Sequence, residues 1–439
     1  MPLAFPSAAE IEASTPADRD RAIDVIRIVS LVGVVTGHAV MATSIIADDV
    51  FRWGNLLTTS VVFQALTWVF QIMPLFFFAG AAASVGSYQP HASWGGWLLK
   101  RCTRLYRPVF YYLAFWAVAL VVLHDVLPVH VYEPIAGISI QLLWFLGAYV
   151  MVLAAMPLLA RITTGTRLLG GVVAVYAVVA LVDAVRVTDA GWSAVGYVNM
   201  LAWLIPGMFG VAYRRGLLNP RTALGVGVAM FAVNLSLLWL GPYELSLVGI
   251  ESQHLKNMTP PSLLLAGHAI MLCAFAIAAA PRIGRWAQRP GVWRLAVIGN
   301  TGAMTLYLWH MPVLLGVHLT FDYLGLPRYP GQPHFLVLSI VQLVLVAALV
   351  AVVFVVLRPL ENNPLPLWDG GRVCALGPRS AAVGTLLTIA GAATLASVGW
   401  GLKDQGLFCV SVMVVALIGA RLLASDSVAA ESPVELKVG

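Results

Sequence analysis

Two residues in the first apolar stretch of this 439-residue chain have side chains suited to chemistry, Arg27 and His38. A step of eleven residues along an α-helix is about three turns plus 20°, so both side chains project from one face. At ~1.5 Å per residue, His38 lies ~16 Å beyond Arg27. If the stretch crosses a membrane, ionisable groups there are costly and indicate a functional site by default. The pair predicts an anion-binding cation near the membrane edge and a proton-transfer group near the midplane.

Each residue of this pair could instead have a purely structural role. Arg27 can serve as an interfacial anchor whose head group reaches water, paired with Asp24 one turn earlier. His38 can be a histidine that forms hydrogen bonds between packed helices, which Gly33 and Gly37 would allow to approach closely. The shared face and the two different depths favour function over these alternatives.

A second histidine lies far along the chain, in the segment Tyr307-Leu-Trp-His310-Met-Pro312. Counted from a helix start near residue 296, His310 lies ~21 Å along the axis, again in the membrane interior. Tyr307 is one turn earlier on the same side. The pattern indicates either a second functional group or a structural polar cluster.

A basic run follows the second apolar stretch and ends at Pro108; its cations are Lys100, Arg101, Arg104 and Arg107. Arginine forks match phosphate geometry, so the run predicts a phosphate-binding rim. The alternative is a topology signal that also binds anionic lipid.

Two weaker motifs complete the set. Residues 73–80 (Met-Pro-Leu-Phe-Phe-Phe-Ala-Gly) can bend a helix at Pro74 or Gly80. Residues 143–149 contain Trp144, which is typical of an interfacial aromatic belt.

The amino-acid composition indicates whether these motifs lie in a soluble protein or in a membrane protein. The chain is 60% hydrophobic and only 10% charged, against about 25% charged residues in a soluble domain. This predicts an integral membrane protein of the all-α class, because the apolar runs are too long for barrel strands. Basic residues are scattered, which argues against nucleic-acid binding. The four cysteines form no CxxC pair and are expected to be isolated thiols.

The apolar runs predict a bundle of about twelve membrane-spanning helices. Their expected limits are about 24–46, 57–86, 108–124, 139–160, 168–185, 195–213, 222–241, 261–280, 296–319, 333–357, 380–399 and 407–423. An N-in, C-in orientation places most Lys and Arg residues on the cytoplasmic side, as the positive-inside rule requires. The predicted divisions are a cytoplasmic tail (1–23), a ten-helix core (24–361), a linker (362–379), an extra hairpin (380–423) and a second cytoplasmic tail (424–439).

Taken in order, the five motifs resemble the bacterial membrane acyltransferase family 3. The resemblance covers about residues 20–361 and is specific as an ordered set. The second motif has Ala79-Gly80-Ala81 where many members have Ser-Gly-Phe or Tyr. The extra hairpin lies outside the usual ten-helix core. The matching residues are Asp24, Arg27 and His38; Pro74 to Gly80; Arg101, Arg104 and Pro108; Leu143 to Leu146; Tyr307, His310 and Pro312; and Arg358 to Glu361.

The resemblance implies an O-acyltransferase that moves an acyl group, expected to be acetyl, from cytoplasmic acyl-CoA to a hydroxyl. The acceptor would be a sugar, a cell-surface glycan or a glycosylated metabolite. His38 would be the base, and His310 or Tyr307 would position the acceptor or stabilise the oxyanion. The cations for the CoA phosphates would be Arg27, Arg101, Arg104 and Arg107. We expect acyl-CoA as a co-substrate, no permanently bound cofactor and no metal.

A secondary transporter or a glycan export protein is the competing class, because twelve helices with both termini inside is also a transporter layout. No internal repeat supports that alternative. The excess of Arg over Lys, with abundant Ala and Val, suggests a high-GC bacterium. We therefore expect a multi-pass protein of the bacterial cytoplasmic membrane.

Overall fold

The computed structural model describes residues 5–89, 93–188, 190–249 and 255–426. Twelve helical segments in this part of the chain are long and apolar enough to cross a membrane. The prediction of an all-α bundle with twelve spanning helices is confirmed. The N-in, C-in orientation and the five predicted divisions stay predictions. Residues 1–4 and 427–439 of the predicted tails lie outside the described residues.

The elements of the N-terminal half begin with a short helix and a β-hairpin. They are α1 (Ala8–Ser14), α2 (Arg21–Met41), β1 (Ala42–Ala47), β2 (Val50–Asn55), a 3-10 turn (Leu56–Thr58), α3 (Val61–Phe70), α4 (Met73–Val85), α5 (Trp94–Val126), α6 (Val129–Ile138), α7 (Leu143–Ala154), α8 (Met156–Leu159) and α9 (Gly165–Thr188).

The C-terminal half is also almost entirely helical. Its elements are a 3-10 segment (Ala190–Trp203), α10 (Leu204–Arg214), α11 (Pro220–Leu240), α12 (Leu263–Ala287), α13 (Pro290–Thr301), α14 (Ala303–Tyr323), α15 (Phe335–Asn362), β3 (Arg372–Val373), α16 (Pro378–Ser397), α17 (Asp404–Leu423) and β4 (Ser425–Asp426).

The first predicted spanning helix is shorter than expected. Helix α2 ends at Met41 instead of about residue 46, and the chain continues as the antiparallel hairpin β1–β2. Asp48 and Asp49 form its two-residue turn with φ of 53° and 59°, the positive values that type I′ turns require. Within a membrane, the N–H and C=O groups of non-helical backbone must find hydrogen-bond partners in the protein. Arg328 supplies part of this by donating to the carbonyls of Val40 and Ala42.

The second predicted helix is broken, but not at Pro74 or Gly80. Helix α3 ends at Phe70 and α4 begins at Met73, so Pro74 occupies the first turn, where its missing N–H costs nothing. The carbonyl of Gln71, released by the break, accepts a hydrogen bond from Nε2 of His268 (3.1 Å).

Helix α5 begins at Trp94, fourteen residues before the predicted start at 108. The basic run is therefore helical, and two of its four cations contact neighbouring side chains. Arg101 lies over the Trp97 ring at 4.4 Å from its centroid, and Arg107 forms an ion pair with Asp369.

The C-terminal hairpin α16–α17 packs against α5 and α7. Tyr106 and Thr394 share a hydrogen bond of 2.9 Å between their hydroxyls. A Cβ at Gly147 would lie 2.6 Å from the backbone nitrogen of Leu395, so glycine is required for this close approach. The predicted isolated thiols are confirmed, because all four cysteines are free.

Candidate active site

His38 and His310 meet in the interior of the bundle. Nδ1 of His38 lies 2.9 Å from Nε2 of His310, and the rings stack with centroids 5.2 Å apart and planes 15° from parallel. His38 occupies the last turn of α2, and His310 lies about two turns into α14. Because the chain entering the hairpin runs beside α14, the end of one helix faces the first half of the other.

Glycines on α2 allow the α3–α4 break to approach this region. A Cβ at Gly37 would meet the Phe70 side chain at 3.4 Å, and one at Gly33 would lie 2.2 Å from the tip of Ile72. The close packing expected around Gly33 and Gly37 is confirmed. Phe70 thus approaches the α2 backbone one residue before His38.

The hydrogen bonds determine how the two imidazoles carry their protons. Nδ1 of His310 lies 3.2 Å from the carbonyl oxygen of Leu306. A carbonyl only accepts, so this nitrogen carries the hydrogen, and in the neutral ring Nε2 is then an acceptor. His38 must therefore donate from Nδ1, which leaves Nε2 of His38 with a lone pair. Among the described residues that nitrogen has no hydrogen-bond partner, and His38 is only half-buried.

Aromatic side chains from three of the motifs pack together beside His310. The Phe145 ring contacts Phe76 and Phe77 at centroid distances of 4.8 and 5.1 Å, and Tyr307 at 5.1 Å. Tyr307 lies 6.1 Å from the His310 ring. Its buried hydroxyl donates to the carbonyl of Leu142 (2.8 Å). The motifs on α4, α7 and α14 are thus brought together around His310.

Arg27 lies in the N-terminal half of α2. Its Nε donates to Oδ1 of Asn300 (2.5 Å), and Nη2 is 3.6 Å from the carboxylate of Asp24. Asp24 is also held by Arg19 through two hydrogen bonds of 2.6 and 2.9 Å. The Arg27 side chain retains 26% exposure, so it is not fully enclosed by the protein.

The predicted phosphate-binding arginines of α5 have three different surroundings. Arg107 is buried, and its guanidinium contacts both oxygens of Asp369 and the backbone carbonyl of Glu361. Arg101 donates to the hydroxyl of Ser87. Arg104 is exposed and has no hydrogen bond or ion pair with the described part of the chain. Of the three, Arg104 is exposed, Arg101 is half-buried and Arg107 is buried.

Two residues near the site, Glu361 and Asn300, were assigned no role from the sequence. Glu361 accepts hydrogen bonds from the backbone nitrogens of Met304 and Thr305 and from the Thr305 hydroxyl. A carboxylate at a helix N-terminus is favourable, so Glu361 fixes the start of the helix that contains His310. Asn300 donates to the carbonyl of Asp24 (2.9 Å) while accepting from Arg27. Their polar character within an apolar stretch was the available signal.

Comparison with known proteins gives one result. A family model described as an acyltransferase domain matches residues 20–358, which is well over half of the chain. No curated protein and no solved structure matches. The matched region contains His38, His310, Tyr307 and the four arginines assigned above, and it excludes the α16–α17 hairpin. The chain belongs to the acyltransferase domain family and, with twelve helices in its described residues that are long and apolar enough to cross a membrane, is a multi-pass membrane acyltransferase.

Proposed function

We propose that this protein transfers an acyl group, acetyl in the first instance, from acyl-CoA to a hydroxyl of a sugar, a cell-surface glycan or a glycosylated metabolite. Family membership supports acyl transfer. The observation that carries the proposal is the hydrogen-bond chain from Leu306 through His310 to His38, which leaves a free lone pair on Nε2 of His38.

In the proposed reaction, Nε2 of His38 takes the proton of the acceptor hydroxyl as its oxygen attacks the thioester carbon. The tetrahedral intermediate collapses with loss of the CoA thiolate, which receives the same proton from His38. An ester and free CoA thiol result, with no net proton change. Nε2 of His310 accepts the Nδ1–H of His38 throughout, so it orients the ring and stabilises the transient imidazolium.

His310 and Tyr307 are assigned positioning roles. Both ring nitrogens of His310 have partners, and the Tyr307 hydroxyl donates to Leu142. Neither residue retains a free donor for an oxyanion. Tyr307 fixes the backbone that precedes α7 against α14, and His310 fixes the tautomer of His38.

Arg27, together with Arg101 and Arg104, is proposed to bind the phosphates of CoA. Arg27 lies about 16 Å from His38 along α2, and CoA carries a long flexible arm between its diphosphate and its thiol. A phosphate at Arg27 and a thioester at His38 are therefore compatible. Arg107 is proposed to brace α5 against residues 361–369, because its guanidinium is occupied there. The donor would enter from the cytoplasm of a bacterial cell.

The test is release of CoA thiol by the purified protein in nanodiscs, with acetyl-CoA and a panel of glycoside acceptors. Acceptor-dependent thiol release, with one ester formed per thiol, is the expected result. Uptake of the acceptor into vesicles without thiol release would instead support the transporter alternative.

A further inference from the structure

A second polar cluster lies at the opposite end of the bundle from Arg27, where the β1–β2 hairpin packs against α14. The hydroxyl of Ser44 lies 2.8 Å from Nδ1 of His318 and 2.6 Å from Oδ2 of Asp322. Ser44 and His318 are fully buried, whereas Asp322 is half-buried. None of these residues has a role in the transfer step at His38.

The hydrogen-bond inventory of this cluster is incomplete. Ser44 has a single hydrogen, and the carboxylate of Asp322 can only accept it, so Nδ1 of His318 donates to the Ser44 oxygen. Nε2 of the neutral His318 ring is then an acceptor. That atom and Oδ1 of Asp322 are buried and have no partner among the described residues. Buried acceptors without a donor are costly, so these two atoms would accept hydrogen bonds from a ligand that supplies donors.

The cluster does not suit an anionic ligand. The nearby cation, Arg328, has a partner at every nitrogen: Nε donates to the Ser339 hydroxyl, and the two terminal nitrogens donate to the carbonyls of Ala42 and Val40. Burial lowers the pKa of Arg328 to about 10, so it remains charged at neutral pH but committed to these carbonyls. The Asp322 carboxylate repels anions. A neutral ligand rich in hydroxyl groups supplies the donors that the cluster lacks.

An aromatic ring completes the arrangement. Trp53 is paired with Ser44 across the hairpin, and its ring lies 5.0 Å from His318 at 74°. Trp53 is half-buried, as is Asp322, so both reach the surface. A flat apolar ring beside hydrogen-bonding groups suits the two characters of a sugar, its C–H face and its hydroxyls.

We propose that Ser44, His318, Asp322 and Trp53 form a subsite for a neutral saccharide, the acceptor of the transfer reaction. His318 follows His310 by eight residues, about 12 Å along α14, and the chain from His38 to Ser44 contacts both histidines. A saccharide long enough to cover this distance would bring a hydroxyl to Nε2 of His38. Its role as acceptor rests on the proposed function, whereas its binding does not.

The experiment measures equilibrium binding of five neutral probes to the full-length protein in nanodiscs. The probes are the methyl glycosides of glucose, galactose, mannose, rhamnose and N-acetylglucosamine, and inorganic phosphate serves as the anionic comparison. Two variants alter the subsite. Asp322→Asn keeps the volume but converts an acceptor into a donor, and Trp53→Ala removes the ring. The matched control is Ser246→Ala, a buried serine that bonds its own loop at Val248.

We expect at least one methyl glycoside to bind the unaltered protein. Asp322→Asn should weaken that binding about tenfold, the order expected for losing a hydrogen bond to a charged group. Trp53→Ala should weaken it by up to about tenfold through loss of the ring contact. Ser246→Ala should bind equally well. Unchanged affinity for acetyl-CoA in every variant shows that the fold is retained.

Three results would overturn the subsite: no methyl glycoside binds, phosphate binds in preference, or both subsite variants bind as the unaltered protein does. Thiol release distinguishes this proposal from the previous one. Glycoside binding without acceptor-dependent thiol release contradicts the proposed function and leaves the binding subsite standing. Thiol release with glycoside affinity unaffected by Asp322→Asn and Trp53→Ala contradicts the subsite alone.

Discussion

Nδ1 of His38 lies 2.9 Å from Nε2 of His310, although 272 positions separate the two residues in the chain. Each histidine belongs to a different motif, and the fold makes them hydrogen-bonded neighbours. The contact gives each ring a defined tautomer, because Leu306 can only accept from His310. A histidine whose Nδ1–H is held and whose Nε2 is free has the arrangement that a general base needs.

Replacing His310 should impair the orientation of His38 rather than donor binding. In His310→Phe the acceptor for the His38 Nδ1–H is lost. We expect kcat to fall about a hundredfold, the order of effect of a small misplacement of a reacting group, with little change in KM for acetyl-CoA. His310→Gln offers a side-chain oxygen as acceptor and should recover part of the rate. Equal kcat in the Phe and Gln variants would contradict the orienting role.

Arg27→Ala should weaken donor binding. Losing a charge-assisted hydrogen bond worth about 1.5–3 kcal/mol raises the Kd for acetyl-CoA about ten- to a hundredfold. Arg27→Lys keeps the charge but not the fork, so it should give an intermediate value. Equilibrium titration with acetyl-CoA at constant salt measures this. An unchanged Kd in Arg27→Ala would show that the phosphates bind elsewhere.

Arg107→Ala should reduce stability and leave the donor Kd unchanged. Removing one partner of a largely buried ion pair costs about 3 kcal/mol or more, since Asp369 is left unpaired. Thermal unfolding in detergent should show a lower Tm in Arg107→Ala, with Arg104→Ala as the exposed comparison that retains the Tm. A normal Tm combined with lost acetyl-CoA binding would instead place Arg107 in the donor site.

The hairpin turn offers a stabilising substitution. Asp49 has φ of 59°, a value that glycine adopts without steric cost and that the second position of a type I′ turn prefers. Relief of this left-handed strain should outweigh the entropy that glycine adds to the unfolded chain, so Asp49→Gly should raise the free energy of unfolding by up to about 1 kcal/mol without changing transfer activity. A lower Tm in this variant would argue against the two-residue turn.

The sequence predicted the twelve spanning segments and the His38–His310 candidates, since long apolar runs and buried ionisable residues are visible locally. It did not predict the β1–β2 hairpin. Its strands are as apolar as a helix end, and the partner that stabilises its start, Arg328, is nearly 290 residues away. The turn residues Asp48 and Asp49 were the available local signal.

The partners of the arginines could be identified only from the three-dimensional structure. The cations at 101, 104 and 107 share one short run, so the sequence assigned them a single phosphate-binding role. The bundle brings Asp369 to Arg107 alone, and it brings Asn300 to Arg27. These pairings join residues more than 250 positions apart. Nothing in the sequence around either arginine indicates which residue it will pair with.

The most direct test of the account is acceptor-dependent thiol release by His38→Ala. The substitution removes the lone pair that receives the hydroxyl proton, and general-base catalysis contributes about a hundred- to ten-thousandfold. We expect release to fall by that factor, with normal acetyl-CoA binding and normal Tm, while the exposed-histidine control His124→Ala keeps full activity. Full activity in His38→Ala would contradict the assignment of His38 as the base.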